Sequence, residues 1–233
     1  MIFTGSGRRV VCRTRQHFEP IQYPFTMPIK LLKRGSIWLV VMLVVLCCCY
    51  ATRHACLRSC GRALVAQNRR TSLEPADAVL VPTADWLRDD DGSERLIEAA
   101  KLVESGLGAS LWVTCPISYG VSECEIGKAF LTRAGFRAST LQAVQTTPLT
   151  ETAEARLAAE RLYSVGIKSV VVVVPDYKSR RLDRIYRHIC AQRGIVARTL
   201  AVSTPQFNAD SWWQTPQSRE VFFNEMIRWT GIF

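Results

Sequence analysis

Five consecutive valines, Val170–Val174, constrain this chain more than any other feature. β-branched side chains are stiff at χ1 and favour strands over helices. A strand apolar at every position has no face to offer to water, so both its faces must be covered. That condition is met by a parallel sheet with helices on either side, and the rest of the chain has the matching rhythm. Strands are expected at 78–82, 110–114, 139–144, 169–174 and 195–202. Helices are expected at 93–106, 122–135, 150–166, 178–193 and 216–229. Ser93, Ser122 and Thr150 stand where N-caps belong, and Gly106, Gly135 and Gly166 where helices stop. The fold class is α/β, a Rossmann-like three-layer sandwich with a mostly parallel sheet of about five strands.

Charge separates this domain from what precedes it. The chain of 233 residues has a formal net charge of +10. Residues 1–75 hold 12 Lys/Arg against 2 acids, whereas 76–233 hold 18 of each, so the whole excess lies in the N-terminal third. A nucleic-acid-binding domain carries its basic patch on the folded part, and this distribution argues against that class. The excess instead flanks Ser36–Thr52, which is free of charge for 17 residues. That length is at the short limit for a membrane-spanning helix, and flanking Lys and Arg can snorkel to the interface. Lys30, Lys33 and Arg34 precede it and Arg53, Arg58 and Arg62 follow, so counting cations does not orient it. The expected organisation is a basic tail at 1–35, a transmembrane signal anchor at 36–52, a basic connector at 53–75 and an α/β domain at 76–233. Met27 opens a short basic stretch before the apolar run, the layout of a signal peptide or signal anchor, and reads as an alternative start. No clean cleavage site follows, which favours a retained anchor.

Nine cysteines give neither a zinc pattern nor a disulfide framework by spacing. Cys47, Cys48 and Cys49 lie in the apolar run, and only Cys115, Cys124 and Cys190 lie in the α/β domain. The metal expectation is therefore none, and no cofactor fingerprint is legible.

In doubly wound folds, ligands bind beyond the carboxyl ends of the strands. The loops to watch are therefore 82–93, 114–122, 144–150, 175–181 and 203–215. Asp89, Asp90 and Asp91 in the first do not have the alternate spacing of an EF-hand loop and read as a solvated turn. Arg95 sits near a helix N-terminus, where the dipole disfavours a cation, and this small cost hints at an anion held nearby. Lys178 and Arg181 fall in the loop or first turn after the valine strand, beside free backbone N–H groups, and would form an anion cradle. Arg180, Arg184 and Arg187 read as a solvated face. The histidines are His17, His54 and His188, none placed as a general base at the strand ends.

With these elements in order, residues 76–230 resemble the SanA/YdcF/ElyC-like envelope domain family, long labelled a domain of unknown function. The shared features are Arg95 opening the first helix, Ser122-Glu123 opening the second, a Thr-rich lead-in ending at Thr150, and a strand running into Tyr177-Lys178-Ser179-Arg180-Arg181. A loop with Trp212 and Trp213 and a late Glu225 also match. The family places a glycine-rich turn after the first strand, Ser-Gly-Gly after the second, and His where Lys178 stands. Here the turns read "VPTADW" and Thr114-Cys115-Pro116. The resemblance implies a bacterial plasma-membrane protein with its domain on the extracytoplasmic side. It would bind or process an anionic envelope metabolite such as a phosphate-bearing lipid-linked sugar, as a transferase or hydrolase. Arg95, Lys178 and Arg181 would hold the anion, and Glu123 and Thr150 would orient it. A non-catalytic interaction protein with a degenerate site is the competing expectation.

Overall fold

The structure, a computed structural model, describes residues 29–66, 73–82, 91–118, 121–137, 141–146 and 150–231. The alternative start at Met27, and Asp85, Asp89 and Asp90 of the acidic turn, lie outside the described residues. The chain divides into two compact units, 1–50 and 51–233.

Helix α1 runs over Ile29–Arg62. From Ile37 to Leu46 its apolar side chains are all exposed, with no protein cover. Ile37–Arg62 is long and apolar enough to cross a membrane, with a mean hydropathy of 1.9 in its most apolar window.

The second unit is the expected α/β domain. Its elements are β1 (Ala78–Val81), α2 (Asp91–Glu104), β2 (Leu111–Ser118), β3 (Val121–Ser122), α3 (Glu123–Arg133), β4 (Leu141–Thr146), α4 (Glu151–Ser164), β5 (Ser169–Pro175), α5 (Asp176–Ala191), β6 (Val196–Val202) and α6 (Pro216–Thr230). Five strands pair in parallel in the order β4-β2-β1-β5-β6, and the short β3 folds back antiparallel on β2. From β1 the chain moves one way to β2, while from β5 it moves the other way to β6. This reversal beside the β1–β5 pair is the topological switch point of the sheet.

The valine strand behaves as its composition demands. Val170, Val172 and Val174 join Ala155, Ala158, Leu162, Leu182 and Tyr186 in the layer under α4 and α5. Val171 and Val173 join Leu96, Ala99, Leu102 and Leu131 in the layer under α2 and α3. Both faces of β5 are thus buried, because side chains alternate across a strand.

A third cluster was not legible as a unit. Residues 53–75 read as a connector, yet α1 continues to Arg62 and the chain then docks on the domain. Leu64 is buried with Tyr177, Phe207, Trp212 and Phe222, and Leu57 and Val65 pack against them. The Trp212 indole N–H donates to the Leu57 carbonyl at 2.8 Å, and the Ala66 N–H donates to Ser179 Oγ at 2.7 Å. Gly61 permits this approach: a Cβ there would collide with the Ala209 carbonyl and lie 2.6 Å from Trp212 Cδ1. A few apolar residues among arginines suffice for docking because four aromatic rings, Tyr177, Phe207, Trp212 and Phe222, supply the complementary surface.

Candidate functional site

A concavity of about 1440 Å³ lies beyond the carboxyl ends of β5 and β6, the end of the sheet at which doubly wound folds place ligands. Asp176, directly after β5, and the run Leu200–Thr204, at and beyond the end of β6, line one part of it. Glu98 of α2, Asn208 and Asp210, and Arg62 complete its polar wall.

Acceptors and hydroxyls outnumber cations in this cleft. The Asp176 carboxylate accepts from the Tyr177 N–H at 2.8 Å. Glu98 lies 3.7 Å from Lys101. At the rim the Arg62 guanidinium donates to Asp210 at 2.6 Å, and that hydrogen bond holds the Asp210 carboxyl below its usual range. The Thr204 hydroxyl is buried and makes no hydrogen bond among the described residues. A buried hydroxyl without a partner is uncommon, because each such group costs free energy.

None of the five expected ligand residues lines this cleft. Arg95 is buried in α2 and donates to the Pro82 carbonyl at 3.2 Å, satisfying the end of β1. Glu123 is buried at the first position of α3, where the helix dipole favours a carboxylate. Thr150 caps α4, its Oγ1 accepting from the Ala153 N–H at 3.3 Å. Lys178 is half-buried, with its ammonium 5.4 Å from the centroid of the Tyr177 ring.

Arg181 differs most from the expected anion grip. It is buried, and carboxylates of the protein itself hold its guanidinium from two sides. Nε and Nη2 donate to Glu225, the latter at 3.0 Å; Nη1 and Nη2 donate to Glu151, the latter at 3.1 Å. Three helices, α4, α5 and α6, meet at this triad. Burial alone would lower the Arg181 pKa, but the hydrogen bonds and charges of Glu151 and Glu225 raise it. Burial pushes both carboxyls up. The Arg181 hydrogen bond and charge, with Lys178 and Arg228 behind it, hold Glu151 below its usual range, while Glu225 ends above its own. The charge of Arg181 is therefore more than neutralised inside the protein, and its first role is to join three helices.

A trace of this triad is present in the sequence. Arg181 lies four residues before Ile185 and eight before Ile189, on the apolar stripe of α5. Glu225 lies three after Phe222, on the buried stripe of α6. A charge on a core stripe needs a buried partner of opposite sign. Thr114 and Glu154 form a second buried pair, with the Thr114 hydroxyl donating to the carboxylate.

The strand ends also hold a covalent link. Cys115 of β2 and Cys124 of α3 form a disulfide, with Cα atoms 5.6 Å apart, which corrects the expectation of no disulfide in the domain. Sequence spacing hid it because the turn back through β3 is what brings the two residues together. Cys190 is left buried and unpaired, and burial pushes its thiol up to about 11. Replacing both Cys115 and Cys124 by Ala is expected to lower stability by about 2–3 kcal/mol, the loop-closure value for so short a loop. Urea unfolding with and without reductant measures it. Thiol titration of the unfolded chain should find two more thiols after reduction than before it.

Among the described residues no group of three or more His, Cys, Asp or Glu is placed to hold a metal ion. No protein-family model matches the chain, and no curated protein matches it in sequence.

Proposed function

We propose that this chain is a divergent member of the SanA/YdcF/ElyC-like envelope domain family, held in the bacterial plasma membrane by Ser36–Thr52 with its α/β domain on the extracytoplasmic side. The domain binds a sugar-containing, phosphate-bearing envelope metabolite in the strand-end cleft. The observation that carries this reading is the lining of that cleft. A buried unpartnered Thr204 hydroxyl, the Ser203 hydroxyl, the Asn208 amide and the carboxylates Asp176 and Glu98 line one concavity beyond the carboxyl ends of β5 and β6. Such a set matches a polyhydroxyl group, whose O–H donors need acceptors and whose oxygens need donors. Arg62 at the rim, paired with Asp210, would exchange that carboxylate for the phosphate. The disulfide supports the extracytoplasmic placement, since disulfides persist in oxidising compartments and are rare in the bacterial cytoplasm.

The test has two arms. In the first, a reporter fused to the C-terminus reads the side of the membrane, and activity of a reporter that works only in the cytoplasm would overturn the placement. In the second, the full chain in lipid nanodiscs is titrated with nucleotide sugars. Binding is expected, and Asn208→Ala and Asp176→Asn should each weaken it about tenfold, the effect of losing one hydrogen bond to a polar ligand. Equal affinity in wild type and both variants would remove the cleft from the reading.

The non-catalytic reading has its own support. Lys178 stands where the resembled family has His, and Arg181 is engaged by Glu151 and Glu225. Neither side chain is set up for proton transfer, as a lysine replaces the imidazole and a guanidinium does not give up its proton. On this reading the cleft binds without turnover, and nucleotide-sugar binding with no product formed would be the result.

A further inference from the structure

Helix α6 carries an apolar face that the domain does not cover. Phe223, Met226 and Ile227 are 56%, 43% and 68% exposed, and their spacing of three and four residues puts them side by side on one stripe. The other side of α6, with Ser218, Phe222 and Glu225, is the one buried in the domain. Arg219 and Glu220 border the exposed stripe at its start, and the Arg219 guanidinium donates to the Trp213 carbonyl at 3.3 Å. Single exposed apolar residues are ordinary on a protein surface, whereas a contiguous apolar stripe rimmed by charges marks a contact.

A chain of ring contacts says what this face meets. Phe223 meets Trp212 edge-on, with ring centroids 5.9 Å apart. Trp212 meets Trp213 at 6.2 Å, and the half-buried Trp213 meets the exposed His54 ring at 5.7 Å. His54 stands two positions after Thr52, the last residue of the charge-free run, which is about 3 Å along a helix. Trp213 therefore lies at the level where that run ends. A run of 17 residues is at the short limit for crossing a bilayer, so the residues just after it are drawn into the headgroup region rather than held clear of it.

We infer that Trp213 and the face formed by Phe223, Met226 and Ile227 rest in the headgroup–acyl boundary of the bilayer that the chain spans. Lipid is the occupant these observations select. Trp is favoured at that depth because its ring is apolar and its N–H is polar, and a helix with one apolar face between charges is suited to lie along the boundary. A second copy of the chain would need a larger surface: a stable dimer buries about 20–30 residues a side, and three side chains with one ring beside them are far fewer. A lipid contact can be this small because the span already holds the domain at the surface, which removes most of the entropy lost on association. The inference rests on the membrane anchor of the proposed function, and neither on the side of the membrane nor on the strand-end cleft.

The full chain is placed in vesicles of phosphatidylethanolamine and phosphatidylglycerol in equal parts, with the photoreactive residue p-benzoylphenylalanine in place of Phe223. Irradiation followed by mass spectrometry reads what that residue has reacted with, and a phospholipid adduct is expected. Tyr163 provides the control. It is 55% exposed and its ring lies 5.8 Å from Lys168, just before β5, at the opposite end of that strand from Tyr177. The photoreactive residue in place of Tyr163 should give about tenfold less adduct. Both positions are exposed, so both proteins should keep the wild-type melting temperature. No lipid adduct from Phe223, or a yield equal to that from Tyr163, overturns the inference. A cross-link to a second copy of the chain would assign the face to a dimer and overturn it too. Washing the vesicles with alkaline carbonate separates this inference from the reading beneath it. Chain that stays with the lipid but gives no adduct refutes the contact alone, whereas chain that washes off refutes the anchor and the contact together.

Discussion

Arg181→Met should cost the α/β domain about 3–5 kcal/mol at neutral pH, the range for removing one partner of a buried ion pair. That is a large share of the 5–15 kcal/mol that ordinarily separates folded from unfolded protein. The loss has little to do with the packing of the Arg181 stem. It comes from Glu225, which is only 2% exposed, and Glu151, left facing each other without their shared cation. The pH dependence identifies the cause. In the native protein Glu151 has a lowered pKa, so its contribution is present above its unfolded pKa and is lost as pH falls through its folded one. Glu225 has a raised pKa, so its contribution is present below its unfolded pKa and is lost as pH rises through its folded one. Without Arg181 both carboxyls move up, and the second behaviour governs both. Arg181→Met should therefore be most destabilised at neutral pH and recover part of its stability as the solution is acidified. Urea unfolding at pH 5 and pH 7.5 reads this. A loss below about 1 kcal/mol, or one equal at the two pH values, would mean that the triad is not a buried charge cluster. Converting all three members to apolar residues should be far milder than the single change, as no charge is then stranded.

Trp212→Ala should be comparably severe, about 3–5 kcal/mol, with a consequence beyond stability. The Trp212 ring stacks on Phe222 at a centroid distance of 3.7 Å and meets Trp213 and Phe223 edge-on. Its indole N–H also holds the Leu57 carbonyl. Removing the ring deletes the surface on which residues 57–66 dock and leaves that carbonyl without its donor. In the folded protein, cleavage by trypsin after Arg58 and Arg62 should then rise at least tenfold, because local opening of the segment becomes cheap. Trp213, which is only partly buried, provides the control: Trp213→Ala should change stability by about 1 kcal/mol and leave the cleavage rate near that of wild type. Equal protection of the segment in Trp212→Ala would mean that its anchorage lies elsewhere.

The two predictions concern features of different legibility. The strand and helix order could be read from hydrophobic runs and helix stops because those are local properties. Most boundaries moved by one or two residues. The helix after β5 begins at Asp176, with Pro175 as its N-cap residue, since proline's fixed φ suits a position just before a helix. Ser93 lies inside α2 rather than at its cap, because the helix begins at Asp91. The candidate site was less legible. Helix-terminal cations such as Arg95, Lys178 and Arg181 look alike in sequence whether they face a ligand or a carboxylate 44 residues away, as Arg181 and Glu225 do. Thr204, Asn208 and Asp176 are ordinary turn residues until the sheet brings them to one cleft.

Local sequence by itself determined the class of fold and the separation of a basic, apolar N-terminal third from a neutral α/β domain. Five valines in a row admit a doubly covered strand, and a 17-residue run without charge admits a membrane span, whatever the rest of the chain does. Only the tertiary structure decided which charges are spent internally, which cysteines meet, and which apolar face of α6 is left uncovered. Those outcomes depend on pairs of residues far apart in sequence. Their interaction is set by distance and desolvation, and neither quantity exists until the helices have packed on the sheet.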